Sequence, residues 1–229
     1  MWLIHRAEER GRTGAKWLKS AHSFSFGEYY NPEAVSFGPL RVINEDVVAP
    51  QSGFPMHPHK DMEIITYILS GALEHRDSMG NGSVIRAGDV QYMCAGTGVR
   101  HSEWNPSVDT PVHLLQIWVL PPQNALPPSY DQRHFADVAK LNCWCLLVAP
   151  DREDALVVHQ NFRLYASILD QGAELGYQPT TARRLYLHVV QGVVQVGDLL
   201  LSAGDAISGS EGLSVIATQS AELLLFDLP

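Results

Sequence analysis

Glycine and proline, 18 and 14 of them in 229 residues, are scattered along the whole chain instead of being gathered into one linker. Glycine supplies turn conformations cheaply and proline interrupts a helix interior, so few stretches can coil for long. Between these breaks lie short runs rich in Val, Ile, Leu and Tyr: Leu40–Ile43, Ile64–Leu69, Val112–Leu120, Leu185–Val190, Leu213–Ala217 and Leu223–Phe226. Runs of this length, bounded by turn residues, predict an all-β barrel or sandwich. Helical signals are few. Asp131–Lys140 is expected to form one short helix, after the proline-rich stretch Pro121–Pro128, the best candidate for a crossing between two halves.

A weak internal repeat supports two halves. Thr66-Tyr67-Ile68-Leu69-Ser70-Gly71 leads through a hairpin to Arg86-Ala87-Gly88-Asp89, and Leu187-His188-Val189-Val190-Gln191-Gly192 leads to Ser202-Ala203-Gly204-Asp205. The second copy reads as the same unit with a hairpin five residues shorter. The ordered set predicts duplicated β-barrels.

Composition narrows the function classes. Apolar residues make up 45% of the chain, enough for a core, and the formal charge of −9 denies it the basic excess a phosphate-binding surface needs. Direct nucleic-acid binding is therefore not expected. The apolar stretch Leu114–Leu120 is far too short to cross a membrane, and the amino-terminal segment turns charged too early for a secretory signal. Cys94, Cys143 and Cys145 form neither a CxxC pair nor an even disulfide framework. These features together predict a soluble, cytoplasmic protein with no membrane partner.

Two clusters carry chemistry: Gly53-Phe54-Pro55-Met56-His57-Pro58-His59-Lys60-Asp61-Met62-Glu63 and Gly96-Thr97-Gly98-Val99-Arg100-His101-Ser102-Glu103-Trp104. In a strand, residues i and i+2 share a face, so His57 would project with His59, and His101 with Glu103. Pro58 argues against a helical arrangement of the first pair. A lone HxH is commonly just a surface pair, and a lone HxE is commoner still. Two adjacent strands each offering such a pair into one barrel, however, could supply three imidazoles and a carboxylate to a divalent ion. Glu63 shares the alternation of His57 and His59, so parity leaves open which carboxylate is the ligand. His113, at the head of the run Val112–Trp118, is a candidate to point inward near the metal, although a hydrogen-bonded or exposed histidine is the commoner case. His75, in Glu74-His75-Arg76-Asp77-Ser78, reads as part of a solvated turn. Phe24, Phe26, Tyr29 and Tyr30 read as core or covering segment that could border a pocket mouth.

HxHxxxE followed by a glycine, then a second Gly-rich turn with a histidine, resembles the two cupin motifs. The wording of both clusters, with Ser23–Phe26, Leu40–Asn44 and Leu115–Trp118, looks more narrowly like the pirin family, and within it like the bacterial pirin-like proteins that carry quercetin 2,3-dioxygenase activity. The resemblance covers most of the first half and weakens in the second. It implies a bicupin, two consecutive double-stranded β-helix barrels with few short helices: residues 1–125 as a metal-binding barrel and 126–229 as a degenerate one without metal. The family's ligands carry over to His57, His59, His101 and Glu103, with Glu103 also the candidate catalytic base and Glu63 a neighbour orienting a histidine. The repeat agrees, because offsets that reach His57, His59, His101 and Glu103 in the first copy reach Gln178, Thr180, Ala217 and Gln219 in the second.

The activity implied is oxygenolytic ring cleavage of a flavonol such as quercetin, with a small aromatic substrate and O2 as reactants. One divalent transition metal is implied: iron(II) first, with manganese, nickel, copper and zinc open. The alternative is a metal- or redox-dependent regulatory module that binds a protein partner without turnover.

Overall fold

The computed structural model describes residues 2–229, and nearly all of its regular elements are strands. Every apolar run named above lies in one, from Leu40–Val48 to Ala221–Leu228, save that the strand of Val112–Leu120 ends one residue earlier, at Val119. The chain divides into two compact units. One comprises residues 10–134 with Val158–Gln160; the other comprises the residues through Glu9, Phe135–Val157 and Asn161–Pro229.

In the first unit a seven-stranded sheet runs in the order Ser129–His134, Asp89–Cys94, Glu63–Ser70, Val112–Val119, Leu40–Val48, Leu18–His22, Gly11–Ala15. A four-stranded sheet runs Gly53–His59, Val99–Trp104, Ala72–Asp77, Gly82–Arg86. The second unit repeats both orders. Its larger sheet runs Leu3–His5, Ala206–Gly209, Arg184–Gln191, Ala221–Leu228, Arg163–Leu169, Cys145–Ala149, Leu156–Val157, and its smaller one Glu174–Tyr177, Leu213–Ala217, Val193–Val196, Leu199–Ser202. Among these strands every pairing is antiparallel except Cys145–Ala149 with Leu156–Val157.

The turn chemistry is duplicated along with the strand order. Gly71 and Gly192 have φ of 78° and 79°, and a Cβ on either would fall within 3 Å of backbone, at Pro111 O and Ser220 O respectively. After each hairpin an aspartate closes the next turn: Arg86 N donates to Asp89 Oδ2 and Ser202 N to Asp205 Oδ2, both at 2.9 Å.

Three expectations change. Asp131–Lys140 is not one helix: Ser129–His134 is an edge strand paired with Asp89–Cys94, and only Asp137–Lys140 coils. An open sheet edge offers a full ladder of hydrogen bonds, which outweighs modest helix propensity over so few residues. The units also do not divide at residue 125, because Ser129–His134 completes the first larger sheet. Leu3–His5 occupies the same edge position in the second, pairing with Ala206–Ser208. Among the described residues no helix is long and apolar enough to cross a membrane.

Candidate metal centre

Val99–Trp104 alternates as a half-buried strand should: Val99, His101 and Glu103 are buried, whereas Arg100 and Trp104 are exposed. Gly53–His59 pairs beside it at the sheet edge, with His57 opposite His101 and His59 opposite Val99. An edge strand tolerates the missing donors of Pro55 and Pro58. Gly53 is required by proximity, since a Cβ there would lie 2.1 Å from Glu103 O.

The three imidazoles converge. Each offers a nitrogen, and these atoms lie within 4.8 Å of one another. Ring centroids are 4.8 Å apart for His57 and His59, 4.4 Å for His57 and His101, and 4.7 Å for His59 and His101. His57 Nδ1 lies 2.8 Å from Pro55 O, to which it donates as Nδ1–H, leaving Nε2 as its lone pair. The Nε2 atoms of His59 and His101 are buried and have no hydrogen-bond partner. Burial first, and then the neighbouring imidazoles, push the pKa of His59 down to about 4 and that of His101 down to about 2. Buried orphan nitrogens are costly on their own, and neutral lone pairs aimed at one point fit a divalent cation.

Glu103 is 2% exposed and lines a cavity of about 340 Å³ together with His57 and His59. Gln116 Nε2 donates to both its oxygens, at 3.2 and 2.9 Å, and Trp118 Nε1 donates to Gln116 Oε1 at 3.2 Å, which orients the amide. Burial raises the Glu103 pKa to about 7; Gln116 opposes this and Asp46 adds to it.

The polar wall of this cavity was missed by the reading of motifs. Ser20, His22, Asn44 and Asp46 are all buried. Thr13 Oγ1 bonds His22 Nε2 at 2.7 Å, His22 Nδ1 lies 2.7 Å from Asn44 Oδ1, and the Ser20 hydroxyl donates to Asp46. Burial lifts the Asp46 pKa to about 6. Leu18, Phe26, Phe54, Pro55 and Trp118 form the apolar walls. The available signal was polar residues at i, i+2 in two strands, Ser20/His22 and Asn44/Asp46.

Three sequence expectations are corrected. Glu63 orients no imidazole: it accepts from Tyr92 Oη at 2.6 Å and from the backbone N–H groups of His159 and Gln160 at 2.7 and 2.9 Å. The turn at Asp61, φ 50°, breaks the alternation and passes the chain to the other sheet. His113 shares its face with Leu115, opposite to Gln116, and bonds Glu45 at 2.9 Å instead of entering the cavity. His75 is no solvated turn residue; it is fully buried. In the second unit, Gln178 lies beyond Glu174–Tyr177 and Gln219 beyond Leu213–Ala217. The offsets therefore overshoot, yet neither strand carries a histidine, and the one carboxylate, Glu174, is exposed.

Comparison with known proteins gives the same picture over the full length. Residues 4–119 match the Pirin family model and residues 146–228 the Quercetinase C-terminal cupin domain. The chain is 44% identical over 232 residues to quercetin 2,3-dioxygenase of Escherichia coli, covering 100% of this chain and 99% of that one. It is 45% identical to a putative quercetin 2,3-dioxygenase of Pasteurella multocida, covering 100% of both. The structure of the bacterial pirin YhhW from Escherichia coli in complex with nickel(II) superposes with a TM-score of 0.95 at 43% identity, covering 100% of this chain and 99% of that one. A quercetin 2,3-dioxygenase of Acinetobacter baumannii, at 22% identity and a TM-score of 0.77 over 98% of this chain and 85% of that one, shares the fold.

Proposed function

The chain belongs to the pirin family, and from that premise we propose that it is a metal-dependent dioxygenase that opens the ring of a flavonol such as quercetin. The observation that carries this reading is the set of three converging imidazoles, two of which, His57 and His59, line a cavity of about 340 Å³. That size suits one small aromatic molecule, since small-molecule pockets run from about 300 to 1,000 Å³.

His57, His59 and His101 would hold the cation through their Nε2 atoms, with Glu103 as the fourth ligand. A bound divalent ion supplies Lewis acidity toward a coordinated hydroxyl and access to dioxygen chemistry. Iron(II) is the first choice for that chemistry; nickel(II) is the ion held by the related YhhW.

The remaining residues bind, orient and move protons. Phe26, Phe54 and Trp118 clamp a flat ring, and Trp118 packs edge-on against both Phe26 and His59. The hydroxyls of the distal ring meet the Thr13–His22–Asn44 chain and the Ser20–Asp46 pair. Glu103 accepts the proton of the 3-hydroxyl. Gln116 holds that carboxylate toward the cavity throughout. Both atoms of O2 end in the ring-opened ester and C3 departs as carbon monoxide.

The test is aerobic turnover of quercetin by protein loaded in turn with iron(II), manganese, nickel and copper, following substrate absorbance, oxygen uptake and carbon monoxide. Uptake of oxygen with carbon monoxide release is expected for at least one metal. Absence of oxygen uptake with all four would leave a metal-binding module without this activity.

A further inference from the structure

Behind His101 lies a second buried histidine that the mechanism above does not use. His75 is on Ala72–Asp77, whose register sets Asp77 opposite His101 and His75 opposite Glu103. Its ring stacks on Tyr130, with centroids 4.8 Å apart and planes at 24°, and lies 5.2 Å from the His101 ring. Both its nitrogens are engaged. Nε2 is 3.2 Å from Asp77 Oδ2, and Nδ1 is 3.4 Å from His101 Nδ1, with Gln91 Nε2 approaching the same atom at 3.4 Å.

The order of protons along this chain follows from its far end. Asp77 is surrounded by donors: Oδ1 accepts from Met79 N at 2.9 Å and Asn81 N at 3.0 Å, and Oδ2 from Asn81 Nδ2 at 2.9 Å. A carboxylate so held only accepts, so His75 carries its hydrogen on Nε2 and presents a lone pair at Nδ1. His101 must then donate from Nδ1, which leaves its buried, otherwise unpartnered Nε2 as a lone pair facing His57 and His59.

We propose that Asp77 and His75 form a relay that locks His101 in the one tautomer able to ligate, with His75 a positioning residue and not a fourth imidazole ligand. The inference rests on His101 being a ligand, as read above. Outer partners of metal-bound histidines act in this way, fixing ring orientation and raising ligand basicity, and their loss commonly lowers metal affinity about 10–100-fold.

The experiment compares wild type, His75→Phe, His75→Asn and Asp77→Asn. Nickel(II) affinity is read by chelator competition, and thermal unfolding of the metal-free proteins serves as a fold control. His75→Phe keeps a flat ring on Tyr130 but removes the acceptor, and should bind nickel about 10–100-fold more weakly. His75→Asn restores an acceptor near the old Nδ1 position and should recover affinity to within roughly threefold of wild type. Asp77→Asn offers His75 a donor, reverses the relay and should weaken binding as His75→Phe does. A long-range 1H–15N imidazole spectrum of metal-free wild type should show Nδ1–H on His101 and Nε2–H on His75, and it decides the matter if a variant does not fold. Equal nickel affinity in wild type and His75→Phe, or the hydrogen of His75 on Nδ1, overturns the relay alone. A wild-type chain that takes up no nickel overturns the relay and the metal assignment together.

Discussion

In one barrel the strand Val99–Trp104 turns Val99, His101 and Glu103 inward; in the other the corresponding strand turns Leu213, Val215 and Ala217 inward. The strand order around them is the same. The second interior is a continuous aliphatic cluster, with Leu185, Leu187, Val189, Leu223 and Leu225 packed against that strand's side chains. In the first, apolar packing such as that of Val48, Ile68, Leu73, Ile85, Val112 and Leu114 leaves room for a cavity that holds imidazoles and carboxyls. Buried charge is also handled differently. In the second barrel Asp227, 3% exposed, is matched by the Arg183 guanidinium and the Tyr177 hydroxyl. In the first, Asp46 and Glu103 accept from a neutral hydroxyl and a neutral amide, and burial raises both their pKa values. One architecture thus serves as an aliphatic shell in one copy and as a polar pocket with a converging imidazole triad in the other. A handful of inward positions makes the difference.

The largest effect should come from removing one of the three converging imidazoles. His101→Ala is expected to lower nickel affinity by more than the roughly 10–100-fold typical of outer-shell changes. Metal analysis after dialysis measures this, and the metal-free protein should unfold near the wild-type temperature. Glu103→Gln should keep much of the metal but reduce quercetin turnover by about 10²–10⁴-fold, the usual weight of a general base, as read from initial rates at saturating metal. If Glu103→Gln turns over normally, the carboxylate is not the base.

Leu187→Ala, in the aliphatic interior, should show the reverse pattern: a loss of about 2–5 kcal/mol in denaturant unfolding with metal content unchanged. Should it release metal, the two interiors are energetically coupled and the contrast between them fails. A smaller effect is expected from pH. Asp46 binds its proton more tightly folded than unfolded, so its contribution to the stability of the metal-free chain is greatest at low pH. That contribution falls as pH rises from about 4 to about 6. The full change is on the order of 3 kcal/mol at most, and Asp46→Asn should flatten it in unfolding curves taken across that range. Smallest of all, Gln178→Ala and Thr180→Ala should leave metal content untouched; a loss there comparable to that of His101→Ala would make the second barrel a metal site.

Much of this was legible in the chain. The apolar runs, the turn glycines Gly71 and Gly192 and the i, i+2 spacing of His57 with His59 and of His101 with Glu103 depend on local periodicity and backbone conformation, which the sequence states directly. What was not legible depends on partners distant in the chain. His75 looked solvated because its neighbours Glu74, Arg76 and Asp77 are charged, yet the strand faces alternate and Tyr130, far along the chain, covers its ring. Ser129–His134 is extended because a sheet edge awaits it, a fact recorded in Asp89–Cys94 and not in its own residues. Glu63 shared a parity with the histidines that one residue of positive φ undid.

The edge strand Leu3–His5 also has a consequence for how the chain is made. Its partner, Ala206–Ser208, leaves the ribosome about two hundred residues later, roughly 10–40 s at bacterial elongation rates of about 5–20 residues per second. Through that interval residues 10–134 can close both of their own sheets, while the opening segment stays unpaired. A nascent chain that has released residues 10–134 but not yet 206–208 would therefore carry both sheets of the first unit and an unclaimed strand at Leu3–His5.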